Sequence, residues 1–290
     1  MKGILLAGGS GSRLYPTTLA TSKQLLPIFD KPMIYYPLST LMLAGIREIL
    51  LITAPQDEAR FKALLGDGSS LGLEICYQVQ KSPLGIAHAI LLAEPFIAQE
   101  PVALILGDNL FYGSLLPSVL KTASQLTKGA LIFAYQVHHP DRYGVVRFTE
   151  NGEVLGIEEK PSTFYSSFAI PGLYFYDEQA VELVKQLSFS ERGELEITDL
   201  HKKYLETGTL SCRRLDKGFV WLDTGTPSSL IDASSFVKTM QERQGIMIGA
   251  VEEVAYQMGY IDEDTLVEKA KSYPNAYGEY LRSLLKMSSI

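Results

Sequence analysis

Through residue 137 the chain alternates continuously apolar runs with segments of helical period, and this alternation is what most limits its fold. Lys2–Ala7, Glu48–Thr53, Leu73–Gln78, Val102–Leu106 and Ala130–Val137 read as strands. Met33–Ala44, Glu58–Leu65, Ile86–Glu94 and Leu115–Leu126 read as the helices between them. Strands that are apolar on both sides must be covered on both faces, and repeated βα units supply that cover while making the sheet mainly parallel. The expected fold is therefore α/β: a Rossmann-like, mixed but mostly parallel sheet with helices on both faces. In such sheets ligands bind beyond the C-terminal ends of the strands.

The pattern changes after residue 137. Gly144–Phe148 and Val154–Glu158 flank Glu150-Asn151-Gly152, a hairpin signal. Gly172–Tyr176 reads as a further strand, followed by helices near Gln179–Gln186 and Thr198–Glu206 and short strands at Leu210–Arg214 and Phe219–Leu222. From Pro227 onward the chain reads as helices, among them Ser228–Arg243 and Asn275–Lys286. There is no low-complexity linker and no hexapeptide repeat of the β-helix type. One α/β domain over 1–226, with a hairpin insertion, and a helical extension over 227–290 packed on it are expected.

Charge and residue usage narrow the function. The net charge of −7 argues against a nucleic-acid surface. No apolar run approaches the roughly 18 residues of a membrane span, and the run Ile4–Ala7 breaks at Gly8-Gly9 without a cleavage-site pattern, so a cytoplasmic protein is expected. Cys76 and Cys212 sit in strand-like runs and read as reduced, buried thiols; four scattered histidines lack metal-ligand spacing. Against the acidic whole, the first 47 residues carry Lys2, Arg13, Lys23, Lys31 and Arg47 against Asp30. A locally basic, glycine-rich start is either a chance cluster or the mark of a small polyanionic ligand.

Gly8-Gly9-Ser10-Gly11-Ser12-Arg13 follows the first strand directly. Glycines there let backbone N–H groups approach a phosphate, and Arg13 adds a forked cation. Leu14 stands where a dinucleotide fingerprint needs Gly or Ala, and no Gly-Lys-Ser/Thr follows for a Walker A loop. A tight turn remains the alternative for the loop taken alone.

Read together, Gly8-Gly9-x-Gly11-x-Arg13-Leu14, Ser22–Pro27 and Asp30–Met42 resemble the signature of sugar-phosphate nucleotidyltransferases, in their glucose-1-phosphate thymidylyltransferase branch. The likeness continues through Leu106–Asn109, Arg142–Val146, Glu158–Pro161, Gly172–Tyr176, Arg192–Asp199 and Trp221–Thr226. The helical tail sets the chain apart from longer relatives that carry a β-helix. Leu84 and His88 replace the Asp and Gln usual in this branch, Lys81 stands where Pro is common, and Pro171 departs before Gly172. The first three lie beside the expected nucleotide pocket and bear on nucleotide preference more than on the reaction.

The resemblance implies a Mg²⁺-dependent transfer of thymidylyl from dTTP to glucose 1-phosphate, giving dTDP-glucose and pyrophosphate. It implies a nucleotide half over roughly 1–137 and a sugar half over roughly 138–226. It further implies a homotetramer in nucleotide-sugar (dTDP-rhamnose) synthesis for cell-surface polysaccharide, regulated away from the catalytic centre. Asp108 and Asp223 each follow an apolar strand. An isolated Asp there is ordinarily a turn or cap residue, but the resemblance makes this pair the Mg²⁺ ligands. Arg13 and Lys23, by position plain surface cations, become the triphosphate and pyrophosphate contacts. Gly8, Gly9, Gly11, Ser12, Gln24, Gln80, Gly85 and Asp108 join them as nucleotide contacts, with Gln80 and the Gly85 backbone reading the base. Tyr143, Gly144, Glu159, Lys160, Gly172, Tyr174 and Glu194 become sugar contacts, and Lys160 meets the sugar's phosphate.

The chemistry is consistent with that set. A phosphomonoester has its second pKa near about 6, so the attacking oxygen is already anionic at pH 7. Alignment and charge neutralisation, rather than a general base, are what the site must supply. The alternatives are the same chemistry with UTP, or a sugar-nucleotide-binding regulator without catalysis.

Overall fold

The computed structural model describes residues 1–9 and 11–287, so Ser10 of the glycine-rich loop lies outside the described residues. The strands are β1 (Lys2–Ala7), β2 (Pro27–Ile28), β3 (Lys31–Pro32), β4 (Glu48–Thr53), β5 (Glu74–Val79), β6 (Val102–Leu106), β7 (Asn109–Tyr112) and β8 (Ala130–Gln136). They continue as β9 (Gly144–Phe148), β10 (Val154–Glu159), β11 (Phe168–Ala169), β12 (Leu173–Tyr176), β13 (Leu210–Arg214) and β14 (Val220–Asp223). The helices are α1 (Tyr35–Leu43), α2 (Glu58–Leu65), α3 (Ile86–Leu92), α4 (Glu94–Ile97), α5 (Leu116–Ala123) and α6 (Ala180–Val184). After them come α7 (Ile197–Glu206), α8 (Pro227–Gln244), α9 (Val251–Gln257), α10 (Glu263–Ser272) and α11 (Ala276–Met287).

The central sheet runs β10-β9-β11-β8-β12-β6-β1-β4-β5, with β13 parallel to β8. The expected strands β5, β4, β1 and β6 form its parallel half. Strand periodicity sorts the core into two layers. Ile4, Leu50, Ile52 and Leu104 face the layer that includes Ala87 and Ile90 of α3, while Leu5, Ile49, Leu51 and Ile105 face the layer beneath α1 and α5. The structure adds what the pattern does not reveal: β12 runs antiparallel between β6 and β8. The β9–β10 hairpin forms as expected and extends the sheet at that side.

The C-terminal helices are built into the core. Helix α8 opens on a capping box in which Thr226 and Ser229 satisfy each other's free backbone N–H groups, with Pro227 inside the first turn. Its Ala233 and Val237 pack with Ile28, Met33 and Tyr36, and Val251, Val254 and Ala255 of α9 join the layer under α1. A buried polar cluster ties the pieces together. Lys31 donates to Asp30 (2.6 Å) and to Gln241 of α8 (3.1 Å), and Glu252 of α9 accepts from Tyr273 and Tyr277. Cys76 and Cys212 are free thiols, both half-buried, and burial pushes Cys212 up to about 12. Among the described residues no helix is long and apolar enough to cross a membrane.

Candidate active site

At the C-terminal end of β6 the chain leaves the sheet. The Gly107 N–H still bonds Leu6 of β1 (2.8 Å), but β7 then turns away and pairs antiparallel with β14. Asp223 lies opposite Asn109 in that ladder, and the backbone carbonyl of Asp108 accepts from the Thr224 N–H (3.2 Å) and hydroxyl (2.9 Å). Two acids far apart in sequence thus come to one place through local strand pairing.

Asn109, which is buried, is the hub of the arrangement. Its Nδ2 donates to Asp108 Oδ1 (2.8 Å), and its Oδ1 accepts from the Gly172 N–H (3.0 Å) and the Trp221 indole (2.6 Å). Asp108 makes a close ion pair with buried Lys23. Burial acts to raise the Asp108 carboxyl, but the Lys23 charge, the hydrogen bonds from Lys23 and Asn109, and the Arg13 charge together hold it below the ordinary range. Asp223 accepts from the Tyr143 hydroxyl (2.6 Å) and from Arg142 (3.2 Å). Burial first, then Asp223, push the Tyr143 phenol well above its ordinary value, so it remains a donor. Its ring packs edge-on against Trp221, centroids 5.0 Å apart.

These groups open onto a cavity of about 400 Å³. Of the residues singled out from sequence, Arg13, Asp108 and Asp223 line it together with Tyr143, Gly144 and Glu159. Lys160, Gly172 and Tyr174 line it as well. Lys160 holds a left-handed backbone conformation (φ +42), unusual for a side-chain-bearing residue, with its N–H bonded to the Tyr143 carbonyl (3.0 Å). Glu159 is flanked by Lys160 and Arg192, each at 3.5 Å. The space a side chain would need at Gly172 is filled by Leu106 (2.5 Å) and at Gly144 by Thr198 (2.7 Å), so both glycines serve packing within the protein as well as the cavity wall.

The remaining expected contacts sit elsewhere. Glu194 does not line this cavity; it is half-exposed and 3.6 Å from Arg192. Lys23 reaches the cavity through Asp108. Gly11 is left-handed (φ +64) and leads into the short turn Ser12–Leu14 that carries Arg13, with its carbonyl held by Thr18 (2.8 Å). Gly9 borders a smaller hollow of about 200 Å³ with Ser22 and Asp57. Gln24 and Gln80 are both buried: Ser22 donates to Gln24 Oε1 (2.8 Å), and Gln80 Nε2 lies 3.1 Å from His88 Nδ1. Gly85 (φ +102) abuts the backbone of Leu195, whose N–H bonds the Leu84 carbonyl (2.8 Å).

Asn109, Arg142, Trp221 and His201 reach the site without having been assigned roles from sequence. The first three fall inside strings that carry the family likeness, which was the available signal. His201 is fully buried, stacked near Tyr176 and held by its hydroxyl (2.7 Å), and burial holds its imidazole down at about 3. Among the described residues no group of three or more His, Cys, Asp or Glu side chains is arranged to hold a metal. Asp108 and Asp223 are a pair, and a cation on them would take its other ligands from outside the protein.

Residues 2–240 match the family model described as nucleotidyl transferase. The chain is 57% identical over 287 residues to glucose-1-phosphate thymidylyltransferase of Neisseria meningitidis serogroup A, covering 99% of this chain and 100% of that one. It is 52% identical to the protein of the same name from Mycobacterium tuberculosis, covering 99% of each. Among solved structures, one of a glucose-1-phosphate thymidylyltransferase from Bacillus anthracis with a sucrose superposes with a TM-score of 0.75 at 39% identity, over 81% of this chain and 94% of that one. A UDP-glucose pyrophosphorylase complexed with UDP-glucose superposes with a TM-score of 0.72 at 26% identity, over 82% and 98%. With a family model spanning most of its length and relatives more than half identical from end to end, the chain belongs to the nucleotidyl transferase family, in its glucose-1-phosphate thymidylyltransferase branch.

Proposed function

We propose that the chain transfers a thymidylyl group from dTTP to glucose 1-phosphate, forming dTDP-glucose and releasing pyrophosphate. The observation that carries this reading is the convergence of Asp108, Asp223 and Arg13 on one cavity, with Lys23 paired to Asp108 behind it. A phosphate oxygen of the sugar phosphate attacks the α-phosphorus, the bond from that phosphorus to the bridging oxygen breaks, and its electron pair leaves on pyrophosphate. Arg13, which lines the cavity, and Lys23, paired to Asp108 behind it, would neutralise that growing charge, and Lys160 and Tyr143 border the cavity where the sugar phosphate would lie.

The carboxylate pair fits a hard divalent cation. Each oxygen that accepts a hydrogen bond keeps a second lone pair, and two carboxylates completed by phosphate oxygens and water suit Mg²⁺. When bound, Mg²⁺ would supply positive charge at the phosphates undergoing transfer. Direct displacement is favoured over a covalent protein intermediate because the histidine at the cavity wall, His201, is sealed from solvent with Nε2 committed to Tyr176. The same reading includes a homo-oligomer in the cytoplasm, a tetramer by family likeness, which sedimentation of the purified protein would measure.

The test is a substrate matrix: dTTP, UTP, dCTP and GTP against the 1-phosphates of glucose, galactose, mannose and N-acetylglucosamine, read by pyrophosphate release with Mg²⁺. The highest kcat/KM is expected for dTTP with glucose 1-phosphate. A maximum with UTP would move the assignment to uridylyl transfer, and no release with any pair would leave a binding protein.

A further inference from the structure

We propose that His88 is a positioning residue: it holds the Gln80 amide in one orientation and thereby sets the nucleotide pocket's preference for a pyrimidine with an imide edge. This rests on the reading of Gln80 as a base contact.

Gln80 follows β5 at the C-terminal edge of the parallel half of the sheet, its N–H bonded to Thr53 (2.9 Å), its side chain buried. Nε2 lies 3.1 Å from His88 Nδ1 on α3. An amide nitrogen donates only, so Nδ1 accepts and the ring proton sits on Nε2 of the imidazole. Burial lowers the pKa of His88, which favours the neutral ring this bond requires. On the other side of the amide, Oε1 lies against Gly8, where a Cβ would come within 2.8 Å of it. The bond to His88 thus turns the amide nitrogen toward α3 and leaves the oxygen on the side of the glycine-rich loop.

Orientation matters because the two pyrimidine classes present opposite polarity at the same two positions. Thymine and uracil offer a carbonyl acceptor beside an N–H donor; cytosine offers an amino donor beside a nitrogen acceptor. An amide that gives one Nε2 hydrogen to His88 keeps one N–H beside its C=O, and so matches one class and opposes the other in a given pose. Without an acceptor at position 88 the amide flips at no cost in lost bonds, and the discrimination relaxes. Gln24, the other buried amide assigned to the nucleotide, meets the Ser22 hydroxyl (2.8 Å), a group that can donate or accept and so imposes no such orientation.

The experiment compares kcat/KM for dTTP and dCTP at saturating glucose 1-phosphate in wild type, His88→Leu, His88→Gln and Gln80→Leu, with melting temperatures as a check on folding. His88→Leu is expected to lower the dTTP:dCTP ratio by roughly tenfold, the worth of about one hydrogen bond. The KM for glucose 1-phosphate should stay in place, and His88→Gln, whose amide oxygen accepts the same bond, should restore the ratio. His88→Ala substitutes if the Leu variant does not fold. A ratio within twofold of wild type in folded His88→Leu, or equal losses for both nucleotides, overturns the positioning role. If Gln80→Leu collapses the ratio while His88→Leu does not, only that role fails; if Gln80→Leu leaves it intact, the base-contact reading fails with it.

Discussion

Asn109 and Asp223 stand opposite each other in the β7–β14 ladder, and this single register position joins the two sides of the cavity. The Asn109 side chain then ties Asp108, Gly172 and Trp221 to that point. Asn109→Leu would leave the Gly172 N–H and the Trp221 indole buried without an acceptor, at a cost of roughly 2–4 kcal/mol. Thermal unfolding should register the loss, and turnover should fall with it because Asp108 loses its fixed partner. Asn109→Asp keeps the acceptor but replaces the donor to Asp108 by a second buried carboxylate, so it should recover little of the stability. Unchanged melting in Asn109→Leu would remove Asn109 from this role.

The paired acids should be needed together. Asp108→Asn and Asp223→Asn are each expected to lower kcat by roughly 100-fold or more, as loss of a charge-stabilising group does in comparable sites. Mg²⁺ binding in the presence of dTTP, followed by calorimetry, should weaken in both. Near-native turnover in either folded variant would break the assignment.

Lys23 opposes the effect of burial on Asp108, which makes the pair sensitive to pH. A carboxyl held low when folded contributes stability above its unfolded pKa and loses it as pH falls through the folded value. Replacing Lys23 by Met removes the largest influence holding Asp108 down, so burial then dominates. The acidic limb of the kcat/KM profile should move to higher pH, and the stability that Asp108 gives up on acidification should vanish, because a carboxyl raised by burial costs stability at neutral pH and recovers it as it protonates. An acidic limb that stays put in Lys23→Met would mean that Asp108 does not control it.

His201 carries a separate signature. Its folded value of about 3 lies below the ordinary 6.5, so between those values the unfolded chain binds a proton that the folded chain refuses. Stability therefore falls as pH drops through that window, by up to about 1.4 kcal/mol per pH unit. In His201→Phe this contribution disappears, and the difference in melting temperature between pH 7 and pH 5 should shrink. An identical pH dependence in the variant would contradict the buried, neutral imidazole.

Direct displacement predicts an exchange pattern. Labelled pyrophosphate should enter dTTP only when glucose 1-phosphate or dTDP-glucose is present. Exchange with enzyme, Mg²⁺ and dTTP alone, lost in His88→Ala, would establish a covalent step and make His88 its nucleophile.

The parallel half of the sheet, both covered faces, the β9–β10 hairpin and the helical tail were legible in the sequence. Their cause is local: apolar period and turn residues report burial and chain reversal within a few positions. The glycine-rich loop with Arg13, and the strand-end positions of Asp108 and Asp223, were legible for the same reason. Nothing local, however, states which distant backbone a strand will meet. The antiparallel insertion of β12, the β7–β14 ladder that brings Asp223 beside Asp108, and the Asn109 hub all depend on pairings between remote segments. So do the exclusion of Glu194 from the cavity and the contact of His88 with Gln80. Sequence by itself determined which residues carry charge and which runs form strands; tertiary structure decided which of those charges share a cavity, because register across a ladder is settled by side-chain packing between elements far apart in the chain.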